Sequence, residues 1–303
     1  MDSIESLRRK IETAGELRSV VRTMKALAAV NIHQYQKAVE ALREYNHTIE
    51  MGLQIALMED SKWVVKAVPA PRNQSIAVIM GSDQGMCGQF NEIIGDYARQ
   101  SLSKLNGSRG RDVVMVVGNR LAALLADKSV DVREVFQLPV GVTGIAPLVE
   151  DLLIKIEELK TILGFDQVII FFNRQISNTM FAPMEERVLP VDREWLNRLK
   201  NRRWPFRSIP TFTMEWERVF SALIREYLFV SIFRAVAESM TSENVGRLAS
   251  MERAEKNIED RIENLNLSYN QCHQLSITEE LLDIVSGFEA ITCKSKKSNE
   301  CLL

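Results

Sequence analysis

Proline is absent from both ends of this 303-residue chain: its eight prolines all lie between Pro69 and Pro210. A proline inside a helix costs about 3 kcal/mol, so residues 1–68 and 213–303 are free to form long unbroken helices. Cysteine is scarce. The four present, Cys87, Cys272, Cys293 and Cys301, show neither a CxxC pair nor a metal-ligand spacing with histidine. Reduced thiols in a cytosolic compartment are therefore expected. Only three histidines occur (His33, His47 and His273), all in the proline-free ends, which leaves Cys87 without a nearby base for nucleophilic chemistry. No apolar run approaches the roughly 20 residues that cross a bilayer. The opening Met1-Asp2-Ser3-Ile4-Glu5 lacks the basic and apolar regions of a signal peptide. A soluble protein is expected. The formal charge of −2 gives no reason to expect nucleic acid or an anionic bilayer as the main partner.

What is present has two periods. Ile4, Leu7, Ile11, Ala14, Leu17, Val21, Met24, Ala28, Tyr35, Leu42, Ile49 and Leu53 step by threes and fours or multiples of seven, and Ala254, Ile258, Ile262, Leu265, Tyr269 and Cys272 do the same. Such a seam faces a partner helix, as in a coiled coil. At roughly 1.5 Å per residue these arms would extend about 80 and 115 Å, so they are expected to project as a shaft. Asp2 and Glu5 would cap the first arm, and Pro69-Ala70-Pro71 would end it. Arg8, Arg9, Lys10, Arg18, Arg22 and Lys25 form either a solvated helix face or a surface sliding against acidic partner loops.

Between the arms the period changes. Ile76–Met80, Val113–Val117 and Val168–Phe172 are short continuous apolar runs, and the helical patterns Glu92–Leu105, Arg120–Lys128 and Ile145–Leu163 alternate with them. This is the pattern of an α/β layer with a parallel sheet, and Val188-Leu189-Pro190 would add an edge strand. The expected domains are thus 1–68, 69–212 and 213–303. The glycine-rich stretch Gly81 to Gly88 follows the first strand, but it fits neither GxGxxG nor GxxxxGK[ST]. A tight structural turn fits better than a phosphate-binding loop. Residues 198 to 207, with Arg202, Arg203 and Arg207 set around Trp204 and Phe206, would form an exposed loop docking on another protein, or a solvated linker.

The second arm outruns the first. Its end carries Leu275, Ile277, Leu281, Leu282, Ile284, Val285, Phe288 and Ile291, apolar nearly all round. A helix apolar on every side must be buried, and nothing else in the chain is left to cover it. A sleeve of other proteins is expected. Residues 294–303 are expected to fray.

Three blocks in order resemble the gamma-subunit family of F-type ATP synthases: Met24-Lys25-Ala26-Leu27-Ala28-Ala29, Gly81 to Gly88, and a C-terminal block. The last runs Ser242-Glu243-Asn244 through Arg247 and Met251, then Leu267-Ser268-Tyr269-Asn270, Ile277-Thr278-Glu279-Glu280-Leu281 and Ile284-Val285-Ser286-Gly287. The resemblance covers nearly the whole chain. It implies a long antiparallel coiled coil of the terminal helices plus a Rossmann-like α/β foot domain. It further implies a non-catalytic, cofactor-free central shaft turning inside a hexamer of alpha and beta subunits. The foot would contact an epsilon subunit and the c-subunit ring, so that membrane contact comes only through the complex. The implied location is peripheral, on the cytoplasmic face of a bacterial membrane.

The family's hexamer contacts map onto Met24, Lys25, Arg247, His273, Gln274, Thr278 and Glu280, and its foot contacts onto Arg202, Arg203 and Arg207. His273 stands where the family usually has arginine, which implies a weaker or pH-sensitive hold on a beta-subunit carboxylate. The foot loop is basic where relatives are often acidic, which suits a divergent bacterial branch. The redox cysteine pair of chloroplast relatives is absent. The sequence also admits two rivals: a nucleotide-binding α/β enzyme dimerising through a helical hairpin, and a self-associating cytoskeletal spacer.

Overall fold

The computed structural model describes residues 3–59, 75–106, 112–165, 167–177 and 179–300, for 105, 106 and 288–300 the backbone alone. Asp2, the proposed stop at Pro69-Ala70-Pro71 and the end at 301–303 lie outside the described residues, as do the side chains of Phe288 and Ile291. The elements in order are α1 (Ile4–Glu59), β1 (Ser75–Met80), α2 (Phe90–Asn106), β2 (Val113–Val117), α3 (Asn119–Asp127), β3 (Val132–Phe136), a short 3₁₀ turn (Val142–Gly144), α4 (Ile145–Leu163), β4 (Gln167–Ser177), β5 (Met180–Leu189), α5 (Arg193–Asn201) and α6 (Trp216–Glu300). The chain divides into two compact units, residues 1–25 with 251–303, and residues 26–250. These units group residues by packing, whereas the segments expected from the sequence, 1–68, 69–212 and 213–303, divide it by element type.

The first unit is a two-helix coil. Ser3 starts α1, its Oγ accepting the Ser6 N–H at 3.2 Å. Leu7 and Leu265 are buried, and Ile4, Ile11, Val21, Ala254, Ile258, Ile262, Tyr269 and Cys272 are half-buried. The helices run antiparallel, since Lys25 reaches Glu255 while Arg22 reaches both Glu255 and Glu259. Leu17 departs from the expected seam. It is 53% exposed, as the inward face passes through Gly15 and Arg18 instead. Either a three- or a four-residue step from Ala14 preserves the period, and the helix takes the four. From Ile277 to Gly287 every residue is exposed in the single chain.

The second unit holds a five-stranded sheet of order β3-β2-β1-β4-β5. β1 pairs in parallel with β2 and β4, β2 with β3, and only the β4–β5 pair is antiparallel. One face packs Ile76, Val78, Met115 and Phe172 against Leu148, Leu152 and Ile156 of α4, Tyr35 of α1 and Val236 and Met240 of α6. The other packs Ala77, Ile79, Val116 and Phe171 against Ile94 and Ala98 of α2 and Leu121 and Leu125 of α3. Burial on both faces explains why these strands read as unbroken apolar runs. A third cluster joins Leu53 and Leu57 of α1, Leu196 and Leu199 of α5, and Val230 of α6.

Three expectations are corrected. β3 is a further strand at the sheet edge, half-buried only at alternate residues. The strand around Val188 is ten residues long and stops at Leu189, before Pro190. Residues 198–201 are not loop but the last turn of α5, which Asp192 caps by accepting the Glu194 N–H at 2.9 Å.

Candidate functional site

The strand order reverses between β1 and β4. In an open α/β sheet the crevice beyond the carboxyl ends of such strands is where a ligand binds. Here the segment Gly81 to Gly88 lies at that crevice, held by hydrogen bonds of Ser82, Asp83 and Asn91. The Ser82 N–H donates to Asn91 Oδ1 at 3.0 Å, Asn91 Nδ2 to Ser82 Oγ at 2.8 Å, and Ser82 Oγ to the Gln84 carbonyl at 2.8 Å. Asp83 puts a carboxylate at the start of α3, accepting the Asn119 N–H at 2.7 Å and the Leu138 N–H at 2.8 Å. That is the place and the charge a phosphate would take at a helix N-terminus. Cys87 is buried beside Ser82 and Asn91, and burial pushes its thiol above the usual range, outweighing the Ser82 hydroxyl that lowers it. A buried thiol so raised is a poor nucleophile.

The chain's own α6 closes the crevice. A Cβ on Gly246 would lie 2.6 Å from the Cys87 carbonyl oxygen and 3.1 Å from the Phe181 ring, so helix and turn meet at a distance only glycine allows. One turn earlier, Ser242 Oγ donates to the Asn173 carbonyl of β4 at 2.9 Å. Residues Thr241 to Gly246 are all buried. The close approach at Gly246 disfavours the nucleotide-binding enzyme reading. Among the described residues no group of three or more His, Cys, Asp or Glu side chains is placed to hold a metal ion.

The residues expected to meet partners fall in both units. In the first, Met24 and Lys25 are half-buried, and Lys25 Nζ bonds Glu255 Oε2 at 2.8 Å. The Lys25 ammonium and then the Arg22 guanidinium hold the Glu255 carboxyl below its ordinary range. His273, Gln274, Thr278 and Glu280 are exposed on α6. The His273 ring stacks on Tyr269 at 6.0 Å, and Thr278 Oγ1 donates to the Gln274 carbonyl at 2.8 Å. Around them Leu275, Ile277, Leu281, Leu282, Ile284 and Val285 are 46 to 69% exposed.

In the second unit Arg247 is almost enclosed and bonds Glu243 through Nη2 at 2.6 Å. Arg202 reaches Glu50 at 3.3 Å, while Arg203 and Arg207 are exposed beside Phe206. The Trp204 indole N–H donates to the Ser208 carbonyl at 2.9 Å and shapes that turn. Glu243, quoted in the block Ser242-Glu243-Asn244 but not singled out from the sequence, is the side chain that pairs with Arg247, and the four-residue spacing between them is the signal that could have found it.

These features define a class: an α/β body with its ligand crevice sealed by its own long helix, on a chain whose two end helices coil together and leave a bare apolar end. The sequence model of the ATP synthase family matches residues 3–291, and the chain belongs to that family. Similar relatives are ATP synthase gamma chains. Those of Bartonella bacilliformis and a Jannaschia species are 26% and 27% identical, each over 96% of this chain and the whole of its relative. The fold matches the Euglena gracilis mitochondrial ATP synthase in its OSCP, catalytic-head and c-ring assembly. The TM-score is 0.63 at 17% identity, with 97% of this chain and 96% of that one covered. A rotor chain of the same synthase matches with a TM-score of 0.58 at 18% identity, over 90% of this chain and 98% of that one.

Proposed function

We propose that this chain is the non-catalytic central rotor shaft of a membrane ATP synthase, coupling ion-driven rotation of a c-subunit ring to ATP synthesis or hydrolysis in an alpha-beta hexamer. The observation that carries the reading is the cluster of exposed leucine, isoleucine and valine side chains between Leu275 and Val285, set among Glu279, Glu280 and Asp283. Covering each half-exposed leucine or isoleucine would contribute on the order of 1 kcal/mol. Met24, Lys25, Arg247, His273, Gln274, Thr278 and Glu280 face the hexamer. Arg202, Arg203 and Arg207 face the epsilon subunit and the ring. Residues 1–68 and 213–303 serve as the axle and 69–212 as the foot. The complex sits peripherally on the cytoplasmic face of a bacterial membrane, which it touches through the ring.

Rotation presents a different side of an asymmetric shaft to each beta subunit, and each side favours one conformation of the nucleotide site. This is a population shift driven by differential contact. The test is a complex whose shaft ends at Ser276. Loss of ATP synthesis under a full ion gradient is expected, and an undiminished rate would remove the tip from torque transmission.

A further inference from the structure

An arginine presents a flat edge, Nε–H beside an Nη–H, that takes both oxygens of a carboxylate. In the first unit Arg22 has both donors of that edge filled, Nε by Glu255 at 2.6 Å and Nη2 by Glu259 at 2.9 Å. In the second unit Arg247 does not. Its Nη2 holds Glu243 Oε1 at 2.6 Å, its Nη1 has only Asn244 Oδ1 at 3.5 Å, and its Nε is buried without an acceptor. Asn244 has little more to offer, because its Oδ1 also faces Asn31 Nδ2 at 3.4 Å and its own Nδ2 is committed to the Met240 carbonyl. The Arg247 and Glu243 side chains are only 12% and 9% exposed.

Glu243 is a poor permanent partner. Burial lifts its carboxyl above the ordinary range, the attraction of Arg247 recovers only part of that cost, and the Asp83 carboxylate adds repulsion. The arginine is thus tethered by one donor to a carboxylate that is itself badly solvated, while the adjacent donor of the same edge stays open. With its Nε buried and unsatisfied, the guanidinium gives up one strong hydrogen bond when it swings from Glu243 toward a carboxylate of another subunit, which can take both Nε and Nη2.

We propose that Glu243 is an in-chain counter-ion that competes with a partner carboxylate for Arg247, so that Arg247 passes between its own helix and the hexamer as the shaft turns. The inference rests on the reading of Arg247 as a hexamer contact. Glu243 is then a positioning residue: it sets how readily Arg247 lets go of the partner, by offering it somewhere to return.

The test uses the complex purified with E243Q, R247Q or both substitutions, reading ATP turnover at saturating ATP. E243Q removes the competing charge, leaves Arg247 longer on the partner and slows turnover about fivefold, the factor for one lost hydrogen bond. The double variant turns over like R247Q alone, because the effect of Glu243 passes entirely through Arg247. E243D, which keeps the charge, falls between wild type and E243Q, and serves as the test variant if E243Q does not assemble. Slowing by E243Q of equal size in the wild-type and R247Q backgrounds would reduce Glu243 to a packing role and overturn the proposal. So would an unchanged rate in E243Q alongside an altered one in R247Q. An unchanged rate in R247Q would instead remove the hexamer contact itself, a distinguishable failure.

Discussion

Asp83 is the residue whose removal tests most sharply why the Gly81 to Gly88 segment is a structural turn. Its two oxygens accept the backbone N–H groups of Asn119 and Leu138 at 2.7 and 2.8 Å, tying the turn after β1 to the start of α3 and to the segment after β3. Asp83→Ala leaves both donors without their acceptor. Hydrogen bonds to a charged group contribute about 1.5 to 3 kcal/mol each, and the partial exposure here favours the lower end. The expected loss is about 3 kcal/mol, with a few tenths of that from the α3 dipole. For a folded unit of this size the fall in Tm would be about 6 to 10 °C. Asp83→Asn keeps one acceptor and turns an NH₂ toward the other donor, so it should lose about half as much. Urea unfolding of the isolated chain, followed by circular dichroism, measures both. A loss under about 0.5 kcal/mol for Asp83→Ala would show that the turn does not depend on this carboxylate. The same variant should remain blind to ATP by calorimetry, because α6 still closes the crevice at Gly246. Micromolar binding would refute that closure.

Gly118 has φ +111°, and a Cβ there would lie 2.7 Å from the backbone nitrogen and oxygen of Ser82, so Gly118→Ala should cost on the order of 2 to 4 kcal/mol in the same assay. A neutral result would mean the turn can relax. Leu53→Ala removes a fully buried side chain from the cluster joining α1, α5 and α6, with an expected loss of about 2 to 5 kcal/mol by urea unfolding. A loss near zero would mean the cluster is not packed as described. The depressed folded-state value of Glu255 means that its contribution is present above the ordinary glutamate range of about 4.3 and disappears as pH falls through the lower folded value. Carbon-detected titration of its carboxyl should give a midpoint below that of a model peptide, moving up toward it in Lys25→Gln. An ordinary midpoint in the wild type would dismiss the pairing.

The elements that could be read from the sequence are those with one strong period. Helix α4 follows its predicted span Ile145–Leu163 because seven buried apolar residues recur at helical spacing, ending at a left-handed Gly164. The buried strands β1 and β2 were legible because both faces are covered. β3 was not: it lies at the sheet edge, where Arg133 and Glu134 interrupt the apolar pattern and no long run forms. Helix α5 hid beside a basic stretch, since only Leu196 and Leu199 are buried in it and its cap, Asp192, precedes the stretch.

Of the candidate site, the exposed apolar end was legible because it depends on composition alone. The double anchorage by Asp83 was not, because its donors lie far along the chain at Asn119 and Leu138. Nor was the enclosure of Arg247, since the turn and strand ends beneath α6 come from distant segments.

A rotor shaft requires that other subunits sheathe the end of α6. Replacing Ile284 by cysteine and measuring its maleimide labelling by mass spectrometry, in the isolated chain and in the assembled complex, asks this directly. Rapid labelling of the free chain and at least about tenfold slower labelling in the complex is the predicted result, for a side chain that passes from exposed to enclosed. Equal rates in the two would contradict the account.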